Sequence, residues 1–362
     1  MKRTLSLGLI ALFLLTGCSS IEPSGSTPIP KSSKAANAWV RACANYEYSA
    51  SKDFEIAYEE VIRDACAKVD LNAIAVPFES SQTVNKESLE IYIGAEKFHL
   101  GYWNKYMQSG FPTKQRIVFT ELDQAWWEQK MNENILKPDL SWFTSKNEGG
   151  HCRVESDIFC PKFFEPVLTT TGLPTEFRII GTKLGWQDWQ LLNSAHETVH
   201  LYQDSHGMSH WAFWYIEGQA TFFELAMSKL YFGDNYLRRE FIVTRPNRQD
   251  SLKYSATNLA ESRAFLKKCK ASRNGDCENF KYGAGSLFHE KLVIDYGLAK
   301  YFDWQMKLAA RMPKGNPGNL SHTKQMRTET EFAVIFEESF GQSLDHFENQ
   351  TMAQYLLDYA IG

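Results

Sequence analysis

Residues 196–210 read HETVHLYQDSHGMSH, and residues 211–230 that follow read WAFWYIEGQATFFELAMSKL. The first stretch holds four histidines in fifteen positions, with a glutamate beside the first. On a helix, residues four apart share a face, so His196 and His200 can present two imidazoles to one ion. Glu197 lies about 100° round that helix from His196, which puts its carboxylate beside the ion rather than on it. Metal-assisted hydrolysis needs this geometry: the ion polarises a carbonyl and a bound water, and the carboxylate takes the water's proton. The apolar positions Trp189, Leu192, Ala195, Val199 and Tyr202 make the segment amphipathic, as a helix packed on a core should be.

Two residues compete for the third ligand position. His206 follows His196 by ten residues, the spacing of H-E-x-x-H-x-x-G-x-x-H, but Gln203 stands where that pattern has glycine. Glutamine has no special tolerance for positive φ and is a good helix former, so the helix is expected to run past it. On a continued helix His206 falls roughly 80° off the ligand face and about three turns away. The other candidate is Glu217, in a second stretch with helical apolar spacing. Two antiparallel helices joined by a short loop could set it opposite His200, and two histidines with one glutamate form a recognised catalytic zinc set.

H-E-T-V-H followed by W-Y-I-E-G-Q-A resembles the gluzincin group of metallopeptidases, in the peptidase MA-like clan. That resemblance implies zinc held by His196, His200 and Glu217, with Glu197 as general base. Tyr282-Gly283-Ala284-Gly285-Ser286-Leu287-Phe288, Asp295-Tyr296-Gly297 and FEESFGQSLDHFENQ (336–350) are similar to later helical segments of the group, so the likeness covers about residues 176–355. It implies a hydroxyl from Tyr282 on the tetrahedral oxyanion. The acidic partner that some members carry four residues after the glutamate ligand is Thr221 here, and Glu224 becomes the candidate to orient a zinc histidine. The aminopeptidase signature Gly-x-Met-Glu-Asn is not matched by Lys130-Met131-Asn132-Glu133-Asn134, which favours an endopeptidase. His289-Glu290 repeats the first two letters of the zinc motif, but Val293 occupies the second histidine's place.

The start of the chain sets the compartment. Lys2 and Arg3 precede an apolar run, Leu5–Leu15, too short to span a bilayer, and Leu15-Thr16-Gly17-Cys18 resembles the lipobox of bacterial lipoproteins. Residues 1–17 are expected to be a signal peptide, and Cys18 to carry the acyl chains that anchor the protein to a membrane. Residues 18–36 then form a flexible tether rich in Ser and Pro, and a folded domain occupies 37–362. The expected location is the cell envelope of a Gram-negative bacterium, on the outer membrane. Losing Lys2 and Arg3 takes the formal net charge from -4 to -6, a balance that argues against a nucleic-acid partner.

Besides Cys18 there are six cysteines, an even number that in an exported chain favours three disulfides. Sequence leaves the connectivity open, but Cys152/Cys160 and Cys269/Cys277 each close a short polar loop, which leaves Cys43 with Cys66.

Periodicity completes the outline. FEIAYEEVIRDACAKV and LEIYIGAEKFHLGYWNKYM have helical spacing, QRIVFTEL (115–122) and EFRIIGTKL (176–184) have β-branched runs, and helical segments dominate after Gly185. The expected class is α+β and zincin-like: a helical extension over 37–110, a sheet with the active-site helix over 111–204, and a helical lobe over 205–362. The expected function is zinc-dependent hydrolysis of peptide bonds in protein or peptide substrates, Glu197 activating a zinc-bound water. The rival is a non-catalytic lipoprotein that keeps the fold to bind an envelope partner.

Overall fold

In a computed structural model the chain is described at residues 38–50, 52–69, 78–80, 86–106, 116–120, 162–163, 167–168, 174–179, 194–196, 198–200, 202–203, 206, 213–233, 254–271, 277–311 and 322–361. Two compact units result, one of residues 1–26, 78–89 and 116–186, the other of 27–77, 90–115 and 187–362.

The second unit carries the site. Its helices are α1 (Ala38–Asn45), α2 (Asp53–Lys68), most of α3 (Lys86–Asn104), a helical segment within 194–203, α4 (Phe213–Phe232), α5 (Leu259–Ala271), α6 (Glu278–Tyr296), α7 (Leu298–Arg311), α8 (His322–Phe340), α9 (Leu344–His346) and α10 (Ala353–Ile361). A π-helical stretch, Phe347–Met352, joins the last two.

The expected α+β class is overturned: the described residues are mainly helical. Every regular element described to side-chain level is a helix, and the described core is built from helix faces. The extended pieces, all in the first unit, are short, and two of them overlap the β-branched runs 115–122 and 176–184 that prompted the expectation. The pieces are β1 (Phe78–Ser80), β2 (Arg116–Thr120), β3 (Lys162–Phe163), β4 (Val167–Leu168) and β5 (Pro174–Ile179). β2 pairs in parallel with β1 and β5, while β3 and β4 pair antiparallel to β5. The reason is one of length: the strands span two to six residues, whereas helices of 16 to 20 residues present whole apolar faces.

α4 is apolar almost all round, as a helix enclosed by others must be. Tyr215, Ala220, Phe222, Phe223, Ala226 and Leu230 are buried along its length. α6 makes its closest partner, and the approach is set by two glycines. A Cβ on Gly218 would come within 2.2 Å of the Gly285 carbonyl carbon, and one on Gly285 within 1.9 Å of the Trp214 carbonyl oxygen. Only two residues without side chains let these backbones touch. α6 ends at Gly297, whose φ of 78° breaks the helix while its N–H still reaches the Val293 carbonyl at 2.8 Å.

The amino-terminal helices belong to this same core. Tyr58 of α2 packs on Phe222, and Trp103 of α3 meets Phe223 and Tyr202, both with ring centroids 4.6 Å apart. Fully burying side chains of this size stabilises by roughly 1.5–3 kcal/mol each relative to leaving them exposed. Helices α2 and α3 therefore give structural support to α4 and to the helix with the histidine motif. Disulfides Cys269–Cys277, which ties α5 to the start of α6 as its short loop suggested, and Cys43–Cys66, the pair that remained, which ties α1 to α2, are both formed. Cys18, Cys152 and Cys160 lie outside the described residues.

Candidate metal centre

Ser194, Ala195, Thr198 and Val199 are buried, and this fixes which side of the motif helix faces away from the core. Periodicity then turns His196 and His200 the same way, their rings 4.9 Å apart and nearly perpendicular. Across from them α4 delivers Glu217 and, two turns later, Glu224.

One carboxylate oxygen of Glu217, Oε2, lies 3.2 Å from Nε2 of His196 and 3.4 Å from Nε2 of His200. Among the described residues, His196, His200 and Glu217 are the group of potential ligands whose donor atoms all fall within 4.8 Å of one another. The other nitrogen of each ring is already committed. His196 Nδ1 donates to Glu224 Oε2 at 3.0 Å, because a carboxylate can only accept. His200 Nδ1 donates to Gln203 Oε1 at 2.8 Å. A neutral imidazole at either position thus holds its proton on Nδ1 and turns the Nε2 lone pair toward Glu217.

Two lone pairs and an anionic oxygen converging on one point repel unless protons or a cation lie among them. The spacing bears on which. An N–H···O bond has its usual length near 2.9 Å, whereas two ligands about 2.05 Å from a tetrahedral zinc ion are about 3.3 Å apart. The observed 3.2 and 3.4 Å fit the edge of a ligand tetrahedron. Two carboxylates beside two imidazoles also give the site the negative charge that a dication requires. Burial by itself raises the Glu217 carboxyl, but when the two rings are protonated their hydrogen bonds to it and their positive charge outweigh burial and hold the group well below the usual carboxylate range.

His206 is not part of this group. Its backbone N–H bonds the Tyr202 and Gln203 carbonyls, so the helical turn does continue past Gln203. Its ring is buried against Tyr202 with centroids 4.5 Å apart, and Nδ1 donates back to the Tyr202 carbonyl at 2.9 Å. Tyr282, on the second turn of α6, has its ring 6.3 Å from that of His196. Thr221 spends its hydroxyl on the Glu217 carbonyl at 2.8 Å, leaving Glu224 to meet His196. His289 is buried under α4 with Nε2 on the Tyr215 carbonyl, and among the described residues it takes no part in a second ligand group. Glu197 lies outside the described residues, as does His210.

Sequence reading missed Gln203 altogether, treating it as the place of an absent glycine. Its signal was present in the same i, i+3 spacing that places His200 and Gln203 on one helix face. Comparison with protein-family models, with curated proteins and with solved structures returns no match for this chain.

Proposed function

We propose that this protein is a zinc-dependent peptidase, held at a membrane of the cell envelope through an acylated Cys18, that hydrolyses peptide bonds within proteins or peptides. The observation that carries the reading is the convergence of two Nε2 lone pairs on Glu217 Oε2 at the separation of zinc ligands, both Nδ1 atoms being committed to acceptors. The likeness of HETVH and WYIEGQA to the gluzincin motifs supports the same ligand set. When bound, the ion supplies a Lewis acid that polarises a carbonyl and makes water acidic enough to react near neutral pH.

The chain's own residues take the other roles. Glu197, about 100° round the helix from His196, takes a proton from the attacking water as the new C–O bond forms, and passes it to the departing amine nitrogen as the C–N bond breaks. Tyr282 offers its hydroxyl as a donor to the oxyanion that develops on the carbonyl oxygen. Glu224 keeps His196 oriented through its Nδ1–H.

The test measures bound zinc and cleavage of a fluorogenic peptide library by the intact mature protein. Glu197→Gln is expected to retain zinc and lose hydrolysis by about 100-fold or more. Glu217→Ala is expected to lose zinc while His206→Ala keeps it. Zinc kept at full stoichiometry in Glu217→Ala would refute the ligand set. Zinc binding with no cleavage by wild type would favour a non-catalytic binding protein.

A further inference from the structure

Behind His200 runs a chain of buried polar groups whose direction is determined at both ends. The Tyr215 carbonyl can only accept, so His289 Nε2 donates to it, at 2.9 Å. Fully buried and neutral, His289 then has a lone pair on Nδ1, which accepts from the Tyr301 hydroxyl at 2.9 Å. With its proton spent, the Tyr301 oxygen accepts from Gln219 Nε2 at 2.9 Å. Gln219 Oε1 accepts from Gln203 Nε2 at 2.8 Å. The same Gln203 nitrogen donates to the Ile216 carbonyl at 2.9 Å, which independently fixes which way the amide faces. Gln203 Oε1 is thereby presented to His200 Nδ1.

We propose that the Gln203 amide, clamped by Gln219 and the Ile216 carbonyl and backed by Tyr301 and His289, is a positioning device. It holds His200 as its Nδ1–H tautomer and sets its Nε2 against Glu217. The inference rests on reading His196, His200 and Glu217 as a metal site.

Three features carry it. First, the clamp engages α4 at Tyr215, Ile216 and Gln219, the residues on either side of Glu217, so it joins the two helices that supply the ligands. Second, Gln203, Gln219, Tyr301 and His289 are each no more than 1% exposed, so these bonds do not compete with water. Third, only an amide serves at position 203: an acid would face two acceptors, and an apolar side chain would remove both the donor to the Gln219 oxygen and the acceptor of the His200 N–H. Glutamine in place of glycine is thus the residue that completes the site, by orienting the second histidine.

The deciding experiment titrates zinc into intact, metal-free protein against a chromogenic chelator, and records the visible spectrum of the Co2+-substituted protein. Gln203→Leu is expected to weaken zinc binding about 10- to 100-fold and to shift the Co2+ bands, because His200 is no longer held. Tyr301→Phe, a milder change, is expected to fall between wild type and Gln203→Leu. Gln305→Leu is the control: it removes the buried acceptor of the Tyr215 hydroxyl from the same helix, yet lies off the chain to His200. It is expected to lower thermal stability and leave affinity and spectrum unchanged.

Zinc affinity equal to wild type in a folded Gln203→Leu, or in Tyr301→Phe should Gln203→Leu not fold, overturns the positioning device while the metal site stands. A Gln305→Leu protein that loses zinc affinity as strongly as the chain variants also overturns it, because the effect is then one of core stability. Failure of the wild-type protein itself to bind zinc overturns the metal reading and this inference together.

Discussion

His289 makes acid stability a direct readout of the buried chain. Burial is the larger influence on it and pushes its pKa down from 6.5 to about 3, against a smaller upward pull from the bond to the Tyr215 carbonyl. The folded protein therefore keeps the ring neutral, whereas the unfolded chain takes up a proton as pH falls below 6.5. The stability that depends on neutral His289 is present above pH 6.5 and is lost progressively as pH falls toward 3, at about 1.4 kcal/mol per pH unit. Integrated from about pH 7 to about pH 5, the loss is about 2 kcal/mol for this one side chain.

Carboxylates and the buried His99, whose pKa burial likewise lowers to about 3, add their own dependence, so the total slope isolates nothing. The comparison with His289→Gln does. Glutamine can accept from Tyr301 through its oxygen and donate to the Tyr215 carbonyl through its nitrogen, yet it does not titrate. Urea unfolding followed by tryptophan fluorescence at the two pH values should give wild type a loss larger than that of His289→Gln by about 2 kcal/mol. Parallel losses in the two proteins, within about 0.5 kcal/mol, would mean that His289 is not held neutral, and the direction of the chain would be wrong.

Two further expectations concern the packing and the orientation of the site. In Gly285→Ala the new methyl starts 1.9 Å from the Trp214 carbonyl oxygen, so α4 and α6 must separate by about 1.5 Å to restore ordinary contact. Because the obstacle is backbone, the cost should reach the upper part of the usual 1–3 kcal/mol range, read as a fall in thermal midpoint by circular dichroism; an unchanged midpoint would contradict the close approach. Glu224→Ala removes the acceptor of the His196 Nδ1–H and should weaken zinc binding by about 10- to 100-fold in a chelator competition; wild-type affinity would show that His196 needs no such partner.

The sequence by itself determined the parts that one helix can fix. Four-residue spacing turned His196 and His200 to one face, and the absence of glycine at Gln203 took His206 off it; loop length suggested Cys269 with Cys277 and left Cys43 for Cys66, while the connectivity stayed open until the structure showed these two bonds. Glu217 was legible because a short loop makes the next helix a neighbour, and Glu224 because it lies two turns further along that helix. The fold class was misread because β-branched composition reports local preference, while the weight of a strand in a fold depends on partners far along the chain.

Only the tertiary structure decided that helices from 38–68 and 86–104 back the histidine motif, that Gly218 and Gly285 touch, and that Gln203 reaches His200 on one side and Gln219 on the other. The reason is physical. Spacing along a helix follows from 3.6 residues per turn, but the partner of a buried amide is chosen by how four helices pack. That choice depends on the volume and shape of every side chain between them.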